Sequence, residues 1–140
     1  MKLDVLVPPS PSMVLTGRAL HLLEPISFWG GVSPNDGTLT DPRCSHYGES
    51  VAGRVLLIRE LRGSSSGSSV LLELAYRGKA PRAIILSAET DAILALGALV
   101  AHEMTWPAPG LFRLPVEQQR MIPAGVELSI SPDGDTFLRL

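Results

Sequence analysis

The residues with the most chemical potential stand together in Arg62-Gly63-Ser64-Ser65-Ser66-Gly67-Ser68-Ser69. The run follows the apolar stretch Arg54 to Glu60 (RVLLIRE), suited to a buried strand, and precedes Val70 to Tyr76 (VLLELAY), which has the composition of a helix. A strand that stops at a glycine-rich turn before a helix makes an anion site. The first amides of the helix lack intrahelical acceptors, and the helix dipole places partial positive charge there. Gly63 and Gly67 allow close backbone approach, the serines add hydroxyl donors, and Arg62 brings a full positive charge for a carboxylate or phosphate. A serine here could also move a proton, provided directed amide donors or a cation lower its basic cost.

Other chemistries fit less well. No His-Asp relay lies near the serines in sequence, which argues against a hydrolase triad. No Gly-Lys-Ser/Thr closes the turn, so it is not a phosphate loop of the nucleotide-hydrolase kind, and the Gly-x-Gly-x-x-Gly spacing is missing. The composition also suits a flexible linker, but the flanking elements are too short to be separate domains. Cys44-x-His46 offers two possible metal ligands and no second pair, so no metal site is expected. His21 and His102 are solitary and read as structural or surface groups, Glu73 and Asp91 as helix-surface residues or caps, and Trp29 as an aromatic that packs at an interface.

The elements around the turn follow from pattern. Residues 1–12 read as an extended arm, because Pro8, Pro9 and Pro11 oppose regular pairing, and residues 13–140 as one domain. Met13 to Leu23 reads as a strand. Asn35-Asp36-Gly37 between short strand-like runs is a hairpin signal, and Asp41 to Ser50 reads as a loop. Gly78 ends the first helix, and Ala83 to Leu86 (AIIL) reads as the central strand. Glu89 to Ala101 is a second helix, with Thr90 and Asp91 as cap candidates and Ile93, Leu94, Leu96 and Gly97 on its inner face. Val126 to Ile130 and Thr136 to Leu140 form a terminal hairpin. The expectation is an α/β domain: a small sheet or partial barrel flanked by two helices.

Composition limits the function further. An apolar fraction of 45% with 19% charged residues is that of a globular chain. A net charge of −2 without basic clusters gives no footprint for nucleic acid. One cysteine excludes an internal disulfide, and no apolar stretch is long enough for a membrane helix. With no signal-peptide pattern at the N-terminus, the expected setting is cytoplasmic.

Several separated blocks resemble one family. Glu24-Pro25-Ile26-Ser27-Phe28-Trp29-Gly30-Gly31-Val32, Asp36-Gly37, Asp41, Tyr47-Gly48-Glu49-Ser50, Gly53-Arg54-Val55-Leu56 and the serine run look like the small subunit of aconitase X. So do Leu71-Leu72-Glu73-Leu74, Gly78-Lys79-Ala80-Pro81 and Ala83-Ile84-Ile85-Leu86. The resemblance covers roughly residues 14–101 and weakens beyond about 103. It implies a swivelling β/β/α domain that docks on a large catalytic subunit holding an iron–sulfur cluster, with none bound by this chain alone. It implies a hydro-lyase that dehydrates a small anionic hydroxy acid: cis-3-hydroxy-L-proline in the first reading, mevalonate 5-phosphate in the alternative. A non-enzymatic anion-binding swivel module is the reading of another class.

In the related aconitase swivel domain, the first serine of a Gly-Ser-Ser turn is the proton-transfer base. The resemblance thus implies Ser64 as the base, with Ser65 as the alternative, and Arg62, Gly63, Ser65, Ser66, Gly67 and Ser68 as substrate-binding residues. The Arg-Glu that follows the paired serines in aconitase is replaced by Ser66-Gly67. The arginine for the substrate carboxylate must then come from elsewhere, either Arg62 or the partner subunit.

Overall fold

Two tetrapeptides, Val55–Ile58 (VLLI) and Ala83–Leu86 (AIIL), are buried at every position. Continuous apolar runs of this kind suit parallel strands covered on both faces. The computed structural model describes residues 1–62, 66–88 and 92–139, with the backbone alone at Ala92 and Ile93. Its strands are β1 (Asp4–Val7), β2 (Leu15–Leu22), β3 (Val55–Ile58), β4 (Ala83–Leu86), β5 (Gly110–Arg113), β6 (Glu127–Ile130) and β7 (Thr136–Arg139). Its helices are α1 (Phe28–Gly31), α2 (Gly67–Tyr76), α3 (Ala92–Glu103) and α4 (Val116–Gln119).

The strands form one sheet in the order β1-β5-β4-β3-β2-β6-β7. Strands β2 to β5 run parallel, whereas β1, β6 and β7 each pair antiparallel with their neighbours. On one face Leu20, Leu56, Ile58 and Ile84 meet Val70, Leu71 and Leu74 of α2 and Leu94 and Ala98 of α3. Full burial of Leu71 or Leu74 contributes about 2 kcal/mol each. On the other face Val55, Leu57, Ile85 and Phe112 pack with Leu114, Ile122, Leu128 and Ile130. The sheet curls far enough for its ends to meet: Leu3 N donates to Gly134 O at 2.9 Å and Thr136 N to Met1 O at 2.8 Å. Lys2 adds ion pairs to Asp133 and Asp135, both at 3.4 Å.

The α/β architecture, the two longer helices and the terminal hairpin match the sequence expectations. Four differ. The extended arm expected over residues 1–12 is not without regular pairing: β1 pairs with β5, Leu3 and Val7 are buried, and pairing stops where Pro8 begins. The centre of the sheet is β3, with β4 beside it. Leu96 is 60% exposed, not on the inner face of α3, where Leu94, Ala98 and Ala101 are buried instead. The hairpin at Asn35-Asp36-Gly37 is reduced to one isolated bridge, Val32 to Leu39, with Ser33 N donating to Thr38 O at 2.8 Å and Gly37 at φ 78° as the turn requires. Thr90 and Asp91, the cap candidates, lie outside the described residues, as does the side chain of Ile93.

Candidate functional site

The candidate site opens at the carboxyl end of β3. Ile26 N donates to Glu60 O at 3.1 Å and Arg62 N donates to Ile26 O at 2.8 Å, so the chain is pinned up to Arg62. Gly63, Ser64 and Ser65 lie outside the described residues. The chain is described again at Ser66, the N-cap of α2. The helix therefore starts earlier than its apolar residues indicate, and Gly67, Ser68 and Ser69 form its first turn. Their place at the positive end of the helix dipole, with no acidic residue in the first turn, is favourable for an anion. Gly67 is buried beside Phe28, and Gly97 of α3 packs on Ser68.

Beside Arg62 lies a groove of about 560 Å³, lined among others by Trp29, Thr40, Asp41, Arg43 and Glu24. Trp29 is 61% exposed there, next to Gly30 at φ 82°. Arg62 Nε pairs with Glu60 at 3.2 Å and both side chains are exposed. Such a pair is weak in water, so an incoming anion can draw Arg62 away at little cost. Arg43 forks onto Asp41 with two bonds of 3.1 Å and holds its carboxyl below the ordinary range.

The remaining candidates resolve into structural roles. Cys44 is buried, and burial first, then nearby carboxylates, push its thiol pKa up. His46 Nδ1 lies 2.5 Å from Glu49 Oε2, and no cluster of three or more possible metal ligands occurs among the described residues. A single protonated thiol does not fit an iron–sulfur cluster, which needs several thiolates. Glu73 pairs with Arg77 at 2.7 Å along α2, and His102 Nε2 bonds Pro109 O at 3.0 Å. No helix among the described residues is long and apolar enough to cross a membrane.

One polar cluster was not foreseen. Arg59, directly after β3, donates from Nη2 to His21 Nδ1 at 3.1 Å and from Nη1 to Gln119 Oε1. Gln119 is fully buried and donates to Ile58 O at 3.2 Å and Leu114 O at 3.0 Å. The signal in the sequence was an arginine closing an otherwise apolar strand, but its partners are 38 and 60 residues away.

Comparison with known proteins agrees with this fold. The family model for the aconitase X swivel domain matches residues 11–138, well beyond the stretch where the sequence resemblance was strong. A cis-3-hydroxy-L-proline dehydratase from Pseudomonas aeruginosa is 48% identical over 89 residues, which is 64% of this chain and 15% of that protein. The phosphomevalonate dehydratase small subunit of Pyrococcus furiosus is 42% identical over 88 residues, covering 63% of this chain and 65% of that one. The match thus spans less than two thirds of either relative. A crystal structure of aconitase X from Thermococcus kodakaraensis, in its holo-form, superposes with a TM-score of 0.81 at 26% identity, covering 100% of this chain and 99% of that one. With nearly its whole length matched and the same curled mixed sheet, the chain belongs to the aconitase X swivel domain family.

Proposed function

We propose that this chain is the small subunit of an aconitase X-type hydro-lyase and supplies the proton-transfer serine for dehydration of a small hydroxy acid. The observation that carries this reading is the serine run itself. In a chain of this family, it stands between the carboxyl end of β3 and the first turn of α2. Ser64 takes the substrate proton. Arg62 and the first turn of α2, with Gly63, Ser65, Ser66, Gly67 and Ser68, hold the substrate's negative charge. Free serine is a very weak acid, so the positive end of the helix dipole and Arg62 must stabilise its deprotonated form. The iron–sulfur cluster that the resemblance implies belongs to a large partner subunit, since the donor set of this chain does not fit one.

Cis-3-hydroxy-L-proline is the favoured substrate and mevalonate 5-phosphate the alternative; relatives carry both names. Co-expression with the large subunit and assay on both compounds separates the two. The chain alone should not turn over either compound. In the assembled enzyme, Ser64→Ala should lower kcat by about a hundredfold or more, as loss of general acid–base catalysis does. Unchanged turnover with the assembly intact would falsify the role of Ser64.

A further inference from the structure

We infer that Arg59 is a preorganised oxyanion-binding group at the carboxyl edge of the sheet. Its place is fixed by the backbone: Arg59 N donates to Leu22 O at 3.4 Å and Ser87 Oγ donates to Arg59 O at 2.5 Å. Leu22 closes β2 and Ser87 follows β4, so Arg59 sits at the carboxyl edge of three adjacent parallel strands. Parallel strands of α/β proteins, in open sheets and closed barrels alike, bind ligands at that edge.

The guanidinium is held entirely by neutral groups. His21 Nε2–H donates to Ile122 O at 2.8 Å, which leaves Nδ1 as the acceptor for Arg59. Gln119 uses its amide nitrogen on Ile58 O and Leu114 O, which turns its oxygen toward Arg59. These contacts engage one hydrogen on each terminal nitrogen and leave the other guanidinium donors for a ligand.

Nothing described in the chain neutralises the charge. Among the described residues, Arg43, Arg54, Arg62, Arg77, Arg113 and Arg139 each pair with a carboxylate, and Arg59 does not. Arg18, Arg82 and Arg120 also lack one, but they are exposed and water solvates them. Arg59 is half-buried, and burial, reinforced by the positive charge of Arg120, weakens its hold on the proton. A partly desolvated cation without a counter-charge is unfavourable. Its planar fork suits the paired oxygens of a carboxylate or phosphate.

The ligand class is a small oxyanion. On the proposed function, on which this assignment rests, it is the carboxylate or the phosphate of the hydroxy acid. Arg59 is three residues before Arg62, whose own charge is shared with Glu60, and its side chain lies with His21 and Gln119 on the face of the sheet that carries Leu57 and Ile122.

The test has two arms. In the assembled enzyme, Arg59→Gln should raise KM about tenfold or more, with a smaller change in kcat, and Arg59→Lys should recover part of the loss. An unchanged KM would overturn the assignment, as would weaker association of the variant with the large subunit while KM, measured with the large subunit in saturating excess, is unchanged, because Arg59 would then be pairing with the partner. In the second arm, the nitrogen and proton resonances of the Arg59 side chain are followed at constant ionic strength while the 140-residue chain is titrated. Inorganic phosphate and L-proline are the probes. Saturable movement with phosphate points to a phosphorylated substrate, and movement with L-proline to the amino-acid carboxylate. No movement with either overturns the assignment. If the assembled enzyme dehydrates neither hydroxy acid, the proposed function fails while the titration still decides Arg59.

Discussion

Gly97 and Ser68 are in close contact: a Cβ built on Gly97 would lie 3.0 Å from Ser68 Cβ and 3.1 Å from its Cα and carbonyl oxygen. Thus a side chain at position 97 would have to push the first turn of α2 back by a few tenths of an ångström. In an open helix, replacing glycine by alanine would stabilise by about 1 kcal/mol. Here the conflict is with the Ser68 backbone and should outweigh that gain. Gly97→Ala is expected to lower the thermal midpoint and shift the amide resonances of Ser66 to Ser69. A rise of several degrees in the midpoint would contradict the contact.

Deleting residues 1–7 should destabilise the chain severely. The deletion removes buried Leu3 and Val7, strips β5 of its outer neighbour and breaks the bond between Asp4 and Arg113 at 2.9 Å. Two such side chains contribute about 2 kcal/mol each. Urea unfolding of the truncated chain gives the comparison. A midpoint equal to that of the full chain would mean that β1 is dispensable.

Gln119→Ala removes the amide that satisfies Ile58 O and Leu114 O. Two buried carbonyls then lose a donor, and the expected cost is about 2 to 3 kcal/mol. Chemical denaturation measures it. A loss below about 0.5 kcal/mol, typical of surface changes, would show that water replaces the side chain.

His21 should make stability depend on pH below neutrality. Burial chiefly, then the charge of Arg59, lowers its pKa from the ordinary 6.5, against the opposing bond to Ile122. The unfolded chain therefore binds the proton at a higher pH than the folded one. The stabilisation is complete above about pH 6.5 and is lost as pH falls from there through the folded value. Glu24, Asp36, Asp41 and Glu49 have lowered values, so their losses come below about pH 4.5 and leave a separate window. The urea midpoint should drop between about pH 7 and 5, and His21→Gln should flatten that drop. An equal slope in both proteins would rule out His21 as the source.

The sequence was most legible where one local rule decided the outcome. Val55–Ile58 and Ala83–Leu86 are short apolar runs between turn residues, and the helix over Val70–Tyr76 is ended by Gly78 at φ 69°. Local rules failed where distant partners decide. Prolines argued correctly against pairing at residues 8–11, but nothing local reveals that Asp4–Val7 meets Gly110–Arg113. Strand β5 itself was hidden among the prolines of the tail. Leu96 is exposed although apolar, because Gly97 and Ala98 turn the small side of α3 toward α2. The serine run was recognised from its composition and neighbours. Arg59 was not, because Gln119 and His21 reach it only through the fold.

The contact that joins Leu3 and Met1 to Gly134 and Thr136 has a kinetic meaning. It encloses almost the whole chain in one loop, and such long closures carry an entropic penalty that shorter pairings avoid. The parallel core of β3 and β4, with α2 between them in sequence, can assemble without it. The seam should therefore form last and open first, in a local excursion that leaves the core intact. Amide protons of Leu3 and Thr136 should exchange with solvent faster than those of Leu56 and Ile84.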